Sequence, residues 1–395
     1  MRRRSSYLRL VPVAALVSLL SSGRAHACGG LVTQDAAVVT QSQQRVFISF
    51  KNDGSSAVVV QLAIPEASAP FGALTPVAAL PTLDAEPVDV AELDDLDVAT
   101  RPVLRDASSS SSSDSGGCGC GSDSAGADLA GGSNGGRGVN IVEVVDIGPV
   151  TAAVLSATDT APLTQWLGDN GFVVPTAETA TIDAYVGADK YFIAFKRSAQ
   201  GAAGPSSVGV SFSVPGDQRG YPLRMSRIGA ASRLGIQVFV AAPESVAPRG
   251  SAPASPFAAL TLKDLELTRV TDDYTAAVAD AVKQNGNKAF LIEGVYKPEN
   301  AWRETLGTKL RAMTDDQQVL TRLTSVVDPT ALDTDASFWA DAPDDVPKVV
   351  TVGSLVTFPG RGGERIRWQQ QLLLAFALVG WAARRRSRRT VAQVA

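Results

Sequence analysis

Histidine is almost absent from this chain, whose 395 residues include only His26. That residue falls in a leader segment that we expect to be removed. The remaining body then has no imidazole for a Ser-His-Asp triad, a Cys-His pair or a histidine metal site. Cysteine is also scarce, at three residues, whereas zinc and iron–sulfur sites need about four ligands. These shortages exclude histidine-dependent catalysis and argue against a cysteine metal centre.

The first 27 residues have the organisation of a secretory signal. Three arginines, Arg2–Arg4, precede an apolar run from Leu8 to Leu20, and Ala25-His26-Ala27 stands before Cys28. We predict cleavage between Ala27 and Cys28. A permanent anchor is the alternative, but a spanning helix needs about 20 apolar residues. Lipidation of Cys28 is a second alternative. The bulky His26 argues against it, because a small residue is expected at that position.

The C-terminal end has the features of a membrane anchor. An uncharged apolar run, Leu372–Ala383, is followed by five arginines within residues 384–389. We predict a linker over 346–365, a transmembrane or sorting helix over 366–383 and a basic cytoplasmic tail over 384–395. Twelve helical residues rise only about 18 Å, less than a hydrocarbon core of about 30 Å. A buried C-terminal helix with a solvated basic tail is therefore the alternative.

Removing both ends makes the remaining charge strongly acidic. Between Cys28 and Gly360 the chain has 23 basic and 39 acidic residues. A body with this excess of acids is a poor partner for nucleic acid or anionic lipid. The balance is typical of a solvated, exported domain.

The body, residues 28–345, is predicted to be α+β, with a β-rich sheet portion and a more helical C-terminal portion after about residue 250. A hairpin is expected around Asp53-Gly54, between apolar runs at 45–50 and 57–64. Further strands are expected at 139–147, 190–197, 207–214, 223–228, 235–241 and 289–296. The intervening tract 107–138 is nearly all Ser, Gly, Asp and Ala, which predicts a disordered insertion; an acidic stretch over 91–97 precedes it.

Helices are expected at fewer places. Thr160 is a plausible N-cap for a short amphipathic helix that ends at Asn170-Gly171. Further helices are predicted over 271–282 and 299–313, and the Thr314 and Gln317 pair is a capping-box signal for another turn. Trp166 and Trp302 lie among apolar residues of these helices and are expected in the core.

Three sets of residues are candidates for chemistry. Cys118 and Cys120 could form a small strained disulfide or hold a soft metal, or could simply belong to a Gly/Ser linker. The Asp333-Thr-Asp335 stretch is a weak calcium motif, because Phe338 stands where an EF-type loop has glycine; solvated surface acids are favoured. A carboxylate pair could serve an acid–base hydrolase, but no spacing singles one out. We therefore assign no catalytic, cofactor-binding or metal residues.

Several segments together resemble one bacterial family. They are Cys28-Gly29-Gly30, the run 141–149 that leads through 153–155 to Leu163, Trp166-Leu167 and Asn170-Gly171, the strand 191–196, Tyr221–Arg224 and Val319–Leu323. The chain is similar in these segments to the family called domain of unknown function 2330, from about Cys28 to Trp339. The tail resembles the helix-plus-arginine sorting signals of exported myxobacterial proteins, but lacks the cysteine that usually precedes the helix. The family has no established activity, so the resemblance implies no catalytic residues and no cofactor.

The sequence thus predicts an exported cell-envelope protein whose body lies outside the cytoplasm, in the periplasm or at the cell surface. Its expected partners are a membrane, through the C-terminal helix, and an unknown envelope protein or ligand, but not nucleic acid. An anchored binding or structural module is the favoured function. The alternative is an envelope hydrolase or redox protein that uses carboxylates or the Cys118 and Cys120 pair.

Overall fold

The structure is a computed structural model. It describes residues 25–26, 30–31, 41–64, 72–106, 138–172, 174–198, 207–216, 218–250, 257–267, 273–340, 342, 346 and 349–352. Five α-helices occur in this part of the chain: α1 Val90–Thr100, α2 Thr160–Asp169, α3 Thr179–Asp183, α4 Tyr274–Gln284 and α5 Thr308–Ala312. The strands are β1 Ala25–His26, β2 Gly30–Leu31, β3 Gln41–Phe50, β4 Ser56–Ala63, β5 Gly72–Val77, β6 Thr82–Leu83, β7 Val103–Asp106, β8 Val139–Ile147, β9 Val150–Ala157, β10 Tyr191–Arg197, β11 Ser207–Val214, β12 Gly220–Tyr221, β13 Ala230–Ala242, β14 Val246–Gly250, β15 Ala258–Thr261, β16 Ala289–Tyr296, β17 Val319–Val327, β18 Ala336–Ala340 and β19 Val349–Val352. These bounds confirm the predicted α+β class.

A nine-stranded sheet forms the centre of the molecule. Its order is β15-β16-β17-β13-β3-β4-β11-β6, with β1 beside β3. The pairs β13–β3, β15–β16 and β1–β3 are parallel, whereas β3–β4, β4–β11, β13–β17 and β16–β17 are antiparallel. Every residue of β4 is buried, because both faces of the sheet are covered.

A second, antiparallel sheet packs against one face of the first. Its order is β2-β5-β10-β9-β8. Alternate residues of β3, including Val46 and Ile48, share one hydrophobic cluster with Val154, Ile193 and Phe195 of this sheet. Because successive strand residues point to opposite faces, this alternation leaves the other residues of β3 for the outer face. The main core therefore lies between the two sheets.

Helices cover the two outer faces. Leu93 and Leu96 of α1 pack on the nine-stranded sheet with Phe47 and Phe239, together with Trp302. Helices α2 and α3 pack on the five-stranded sheet through the side chains of Leu163, Trp166, Leu167 and Ile182. Both tryptophans expected in the core, Trp166 and Trp302, are buried.

The hairpin predicted at Asp53-Gly54 is confirmed. Lys51 and Ser55 close the β3–β4 turn through a backbone bond of 2.8 Å from the Lys51 amide to the Ser55 carbonyl. Gly54 has a φ of 82°, a left-handed conformation that favours glycine. The expected strands at 139–147, 190–197, 207–214, 235–241 and 289–296 are also present, to within a residue at most ends or as part of a longer strand.

The prediction of a more helical C-terminal portion is confirmed only in part. After residue 250 the described chain has α4 and α5 but also the strands β15 to β19. The helix expected over 299–313 is broken into two 3-10 turns, Pro298–Asn300 and Trp302–Thr305, and the short α5. Ala301 adopts a left-handed φ of 52° between the two turns, which a continuous helix does not allow.

Three further local predictions need correction. The strand expected at 223–228 is a turn followed by a 3-10 turn over Met225–Arg227. Thr314 starts no helix; its hydroxyl caps the end of α5 by donating to the carbonyl of Arg311 at 2.9 Å. Asp159 rather than Thr160 is the N-cap of α2, and Asp273 caps α4, which begins three residues later than expected.

Most of the predicted leader, insertion, linker and C-terminal segments lie outside the described residues. These are the leader except Ala25–His26, nearly all of the 107–138 tract, most of the linker and all of residues 366–395. Within the described part, no helix is both long enough and apolar enough to cross a membrane.

Candidate functional site

Helix α1 places a row of acids over the outer face of the nine-stranded sheet. Asp89 begins the helix, since its carboxylate accepts from the Ala91 amide at 2.9 Å. Leu93 and Leu96, three residues apart, are fully buried and fix which side of the helix faces the sheet. The acidic stretch 91–97, which the sequence left unassigned, is therefore an ordered helix that carries Asp94 and Asp97 to the sheet.

Arg322 lies beneath this helix at the centre of a buried charge network. Its side chain is 6% exposed, and its Nη2 pairs with Asp97 Oδ1 at 2.8 Å. Its Nε donates to Glu293 Oε2 at 2.5 Å, and the side chain of Glu293 is 2% exposed. Two more bonds run from Nη1, to the Asp97 carbonyl at 3.0 Å and to Thr100 Oγ1 at 3.1 Å. One arginine thus joins α1, β16 and β17.

Both acids accept further hydrogen bonds from neighbouring side chains. Tyr274 donates to Glu293 Oε1 at 2.5 Å, and Thr324 donates to Oε2 at 2.7 Å. Gln237 donates to Asp97 Oδ1 at 2.9 Å. We call this set the Arg322 network; it consists of Arg322, Glu293, Asp97, Thr100, Thr324, Tyr274 and Gln237.

The surroundings of Asp97, Arg322 and Tyr274 shift the pKa of each of these groups. Burial by itself raises the pKa of Asp97, but the charge of Arg322 and the bonds from Gln237 and Arg322 outweigh it and hold that pKa below its ordinary value. Burial lowers the pKa of Arg322, yet Glu293 and Asp97 raise it overall. Burial, assisted by the Glu293 charge, raises the pKa of the Tyr274 phenol. Asp97 and Arg322 therefore stay charged across the physiological range.

These properties suit stabilisation rather than proton transfer. A general acid or base is most effective when its pKa lies near the working pH and it can reach a substrate. Asp97 is ionised and bound to an arginine, and Glu293 is almost wholly covered. The Arg322 network thus ties the helix to the sheet.

An open cleft of about 530 Å³ lies between the β3–β4 turn and the segment before β17. Lys51 pairs with Asp315 at 3.0 Å, and Asp315 also accepts from the Asn52 amide at 2.8 Å. That backbone bond and the lysine lower the pKa of Asp315. Asp316, on the same rim, pairs with Arg303. The lining thus has three acids, Asp53, Asp315 and Asp316, against one lysine, and Arg303 pairs with Asp316 from outside the cleft.

The acids of the weak calcium motif are engaged by cations. Asp335 accepts from Tyr185 at 2.5 Å and pairs with Arg224 at 3.2 Å. Asp333 pairs with Lys288 at 2.9 Å. Among the described residues no group of three or more His, Cys, Asp or Glu is arranged to hold a metal ion.

The other residues singled out from the sequence lie outside the described part. They are the cysteine pair Cys118 and Cys120 and the cleavage-site residues Ala27 and Cys28. Their disulfide and processing assignments remain predictions.

Sequence reasoning missed the Arg322 network, although a signal for it was present. Arg322 interrupts the apolar run of β17, and Glu293 interrupts the apolar run of β16. A charged residue inside a buried strand is rare unless it is paired, so two such interruptions indicate a pair. Asp97 gave no comparable signal, because it stands in an acidic stretch whose helical packing was not foreseen.

Comparison with known proteins gives a family but no activity. No curated protein matches the chain. Among solved structures, the crystal structure of baculovirus P35 is similar at 10% identity and a TM-score of 0.27, over 54% of this chain and 67% of that one. A TM-score of this size carries no argument about fold or function. A family model matches residues 22–339, and the chain accordingly belongs to the family described as an uncharacterized protein conserved in bacteria, DUF2330.

Proposed function

We propose that this chain is an exported module of the cell envelope that binds or supports another envelope component, and that its C-terminal helix holds it to a membrane. The Arg322 network is the observation that supports a non-enzymatic role for this chain. Its acids, Asp97 and Glu293, both pair with Arg322. Glu293, the most deeply buried carboxylate of the described chain, and Asp97 thus serve to hold α1 in place through Arg322.

The charge of the body supports export. Between the predicted leader and Arg361, acids outnumber bases by 16. Such a surface keeps a protein soluble and repels nucleic acid and anionic lipid headgroups. Membrane attachment must then come from the apolar run over 372–383, whose leucines, valine and phenylalanine each favour insertion by about 0.3 to 0.6 kcal/mol.

Fractionation tests the anchor. We expect the full-length protein to pellet with membranes and to resist carbonate extraction, and a truncation after Pro359 to be soluble and exported. A truncation after Ala383 is the matched control, since it keeps the apolar run and removes only residues 384–395. It should still pellet. If carbonate extracts a full-length protein whose tail is intact by mass, the segment is not an anchor.

Protease accessibility tests the orientation. In spheroplasts, added protease should digest the body and leave an epitope placed after Ala395 protected; lysis should then expose the epitope. A body that stays protected until lysis contradicts export. Mass determination of the N-terminus adds a third measurement, because retention of the leader contradicts cleavage before Cys28.

A further inference from the structure

The first half of β3 is an anomaly, because it is polar although β3 lies inside the nine-stranded sheet. It reads Gln41-Ser42-Gln43-Gln44, and Gln41 and Gln44 are buried. The side-chain oxygen of Gln44 accepts from Ser226 at 2.9 Å and from the Tyr221 hydroxyl. The side-chain oxygen of Gln44 therefore has hydrogen-bond partners within the fold, whereas the side-chain amide of Gln41 has none.

Gln41 has no hydrogen-bond partner for either its Nε2 or its Oε1. The Ser42 hydroxyl and Gln61 Oε1 are likewise buried without a partner. A buried polar group left unpaired costs about 1–3 kcal/mol. Natural proteins seldom retain such groups without a reason, so three of them on two neighbouring strands call for an explanation.

Among the described residues, one edge of the same half of β3 pairs only with β1, which belongs to the predicted leader. Strand β13 pairs with β3 from Gln41 to Ser49 and takes one edge. Strand β4 pairs with the other edge of β3 only over Val46–Phe50. The last β4 residue in this pairing is Val60, which lies opposite Val46, and Gln61 follows it directly in β4. A strand has two edges, so the parallel strand β1 must lie in the gap that β4 leaves beside residues 41–45.

That occupant belongs to the predicted leader. Ala25 aligns with Gln41 and His26 with Gln43. Cleavage after Ala27 removes both residues and exposes the backbone donors and acceptors of this edge, beside the unpaired amides of Gln41 and Gln61. A five-residue edge spans about 16 Å, the length of a short peptide strand.

We propose that this gap is a peptide-binding site of the mature protein. An extended segment of a partner protein adds as a parallel strand beside Gln41–Arg45, in the place that β1 holds in the precursor, and its Asn, Gln, Ser or Thr side chains bond to Gln41 and Gln61. Strand addition supplies the main-chain hydrogen bonds, and the buried amides supply the selectivity. The inference rests on the proposed export, because the leader must leave before the gap opens.

The test uses the mature protein in mild detergent, after mass determination shows that it begins at Cys28. Its probes are two fluorescent peptides: the leader sequence of residues 21–27, and the same peptide with Ala25→Gln, whose amide falls opposite Gln41. We expect saturable binding of both in fluorescence anisotropy. The Ala25→Gln peptide should bind about five- to tenfold more tightly, since one added hydrogen bond contributes about 1 kcal/mol.

Two protein variants make the result specific. In Gln41→Leu the Ala25→Gln peptide should lose its advantage, so that the two peptides bind this variant with equal affinity. A precursor with Ala27→Leu, which violates the small-residue rule for cleavage, retains β1 and should bind neither peptide.

The outcomes separate this proposal from the proposed export. A protein that retains its leader by mass refutes both. A protein that begins at Cys28 but binds neither peptide refutes the peptide site alone. The site is also refuted if the Ala27→Leu precursor binds the peptides as well as the mature protein does, or if the gain from Ala25→Gln persists in Gln41→Leu.

Discussion

Replacing Arg322 with methionine tests the role assigned to its buried network. The change removes two ion pairs, with Glu293 and Asp97, and two further hydrogen bonds to α1. Glu293 then keeps only Tyr274 and Thr324 as donors, with its charge uncompensated at 2% exposure. Removing one partner of a buried pair typically costs about 3–5 kcal/mol. We expect a loss of that size in the free energy of unfolding.

Arg101 provides a matched control for this experiment. It pairs with the same carboxylate, Asp97, at 3.2 Å, but its side chain is 54% exposed. Exposed pairs of this spacing contribute about 0.3–0.5 kcal/mol. Arg101→Met should therefore cost less than about 0.5 kcal/mol, although both arginines pair with one acid.

The double variant Arg322→Met with Glu293→Gln isolates the charge effect. Glutamine removes the uncompensated charge, so the double variant should be more stable than Arg322→Met alone, by about 2 kcal/mol. Urea denaturation with an unchanged slope gives these free energies. The reasoning is refuted if Arg322→Met costs no more than Arg101→Met, or if the double variant gains nothing over the single one.

Asp97→Asn should lessen the loss of stability on acidification. The pKa of Asp97 is lowered in the folded state, so its carboxylate stabilises the fold at pH values above the ordinary pKa of 3.8. That contribution disappears as the pH falls through the folded pKa. Tyr296→Phe should lessen the loss at high pH, because burial raises the pKa of Tyr296 to about 12 and the stabilisation fades as the pH rises from about 10 to 12. Gly307→Ala should cost about 1–3 kcal/mol, since its Cβ would clash with the Glu92 side chain, and Glu92→Ala should relieve the clash. Deleting residues 107–138 should change stability by less than about 1 kcal/mol, because loop closure varies only logarithmically with length.

Unfolding curves across pH check the first two of these changes, and thermal or urea unfolding checks the others. If the pH dependence of the unfolding free energy is unchanged in either variant, the role assigned to Asp97 or Tyr296 is wrong. A Gly307→Ala variant as stable as the parent would show that Glu92 moves aside at no cost. A deletion of 107–138 that unfolds the body would show that this tract is packed.

The β-strands were the most predictable part of the fold. The run 139–147 and the run 289–296 are apolar and β-branched, with turn residues at their ends, and both appear as strands with those bounds. The Asp53-Gly54 turn was equally clear, because a left-handed residue between two such runs favours a hairpin. Local chemistry decides these features, so the local sequence reports them.

The helical predictions after residue 298 failed for a tertiary reason. The apolar spacing through Trp302 and Leu306 suits a helix, yet Ala301 is left-handed and Gly307 lies against the Glu92 carboxylate. Glu92 accepts from the amides of Lys309 and Leu310 and so fixes where α5 begins. Helix propensity is a weak prior, and a residue more than two hundred positions away overrode it.

By itself, the sequence determined the absence of histidine chemistry from the body, the α+β class, most strand positions and the family to which the chain belongs. Only the tertiary structure decided which charges meet. Arg322, Glu293 and Asp97 come from three separate segments, and sheet order together with the docking of α1 brings them together. Likewise, the β3–β4 pairing ends at Val46 and Val60, which leaves a gap on one edge of β3 beside Gln41, while β13 takes the other edge. Spacing along the chain carries no record of such contacts, because they depend on which strands become neighbours.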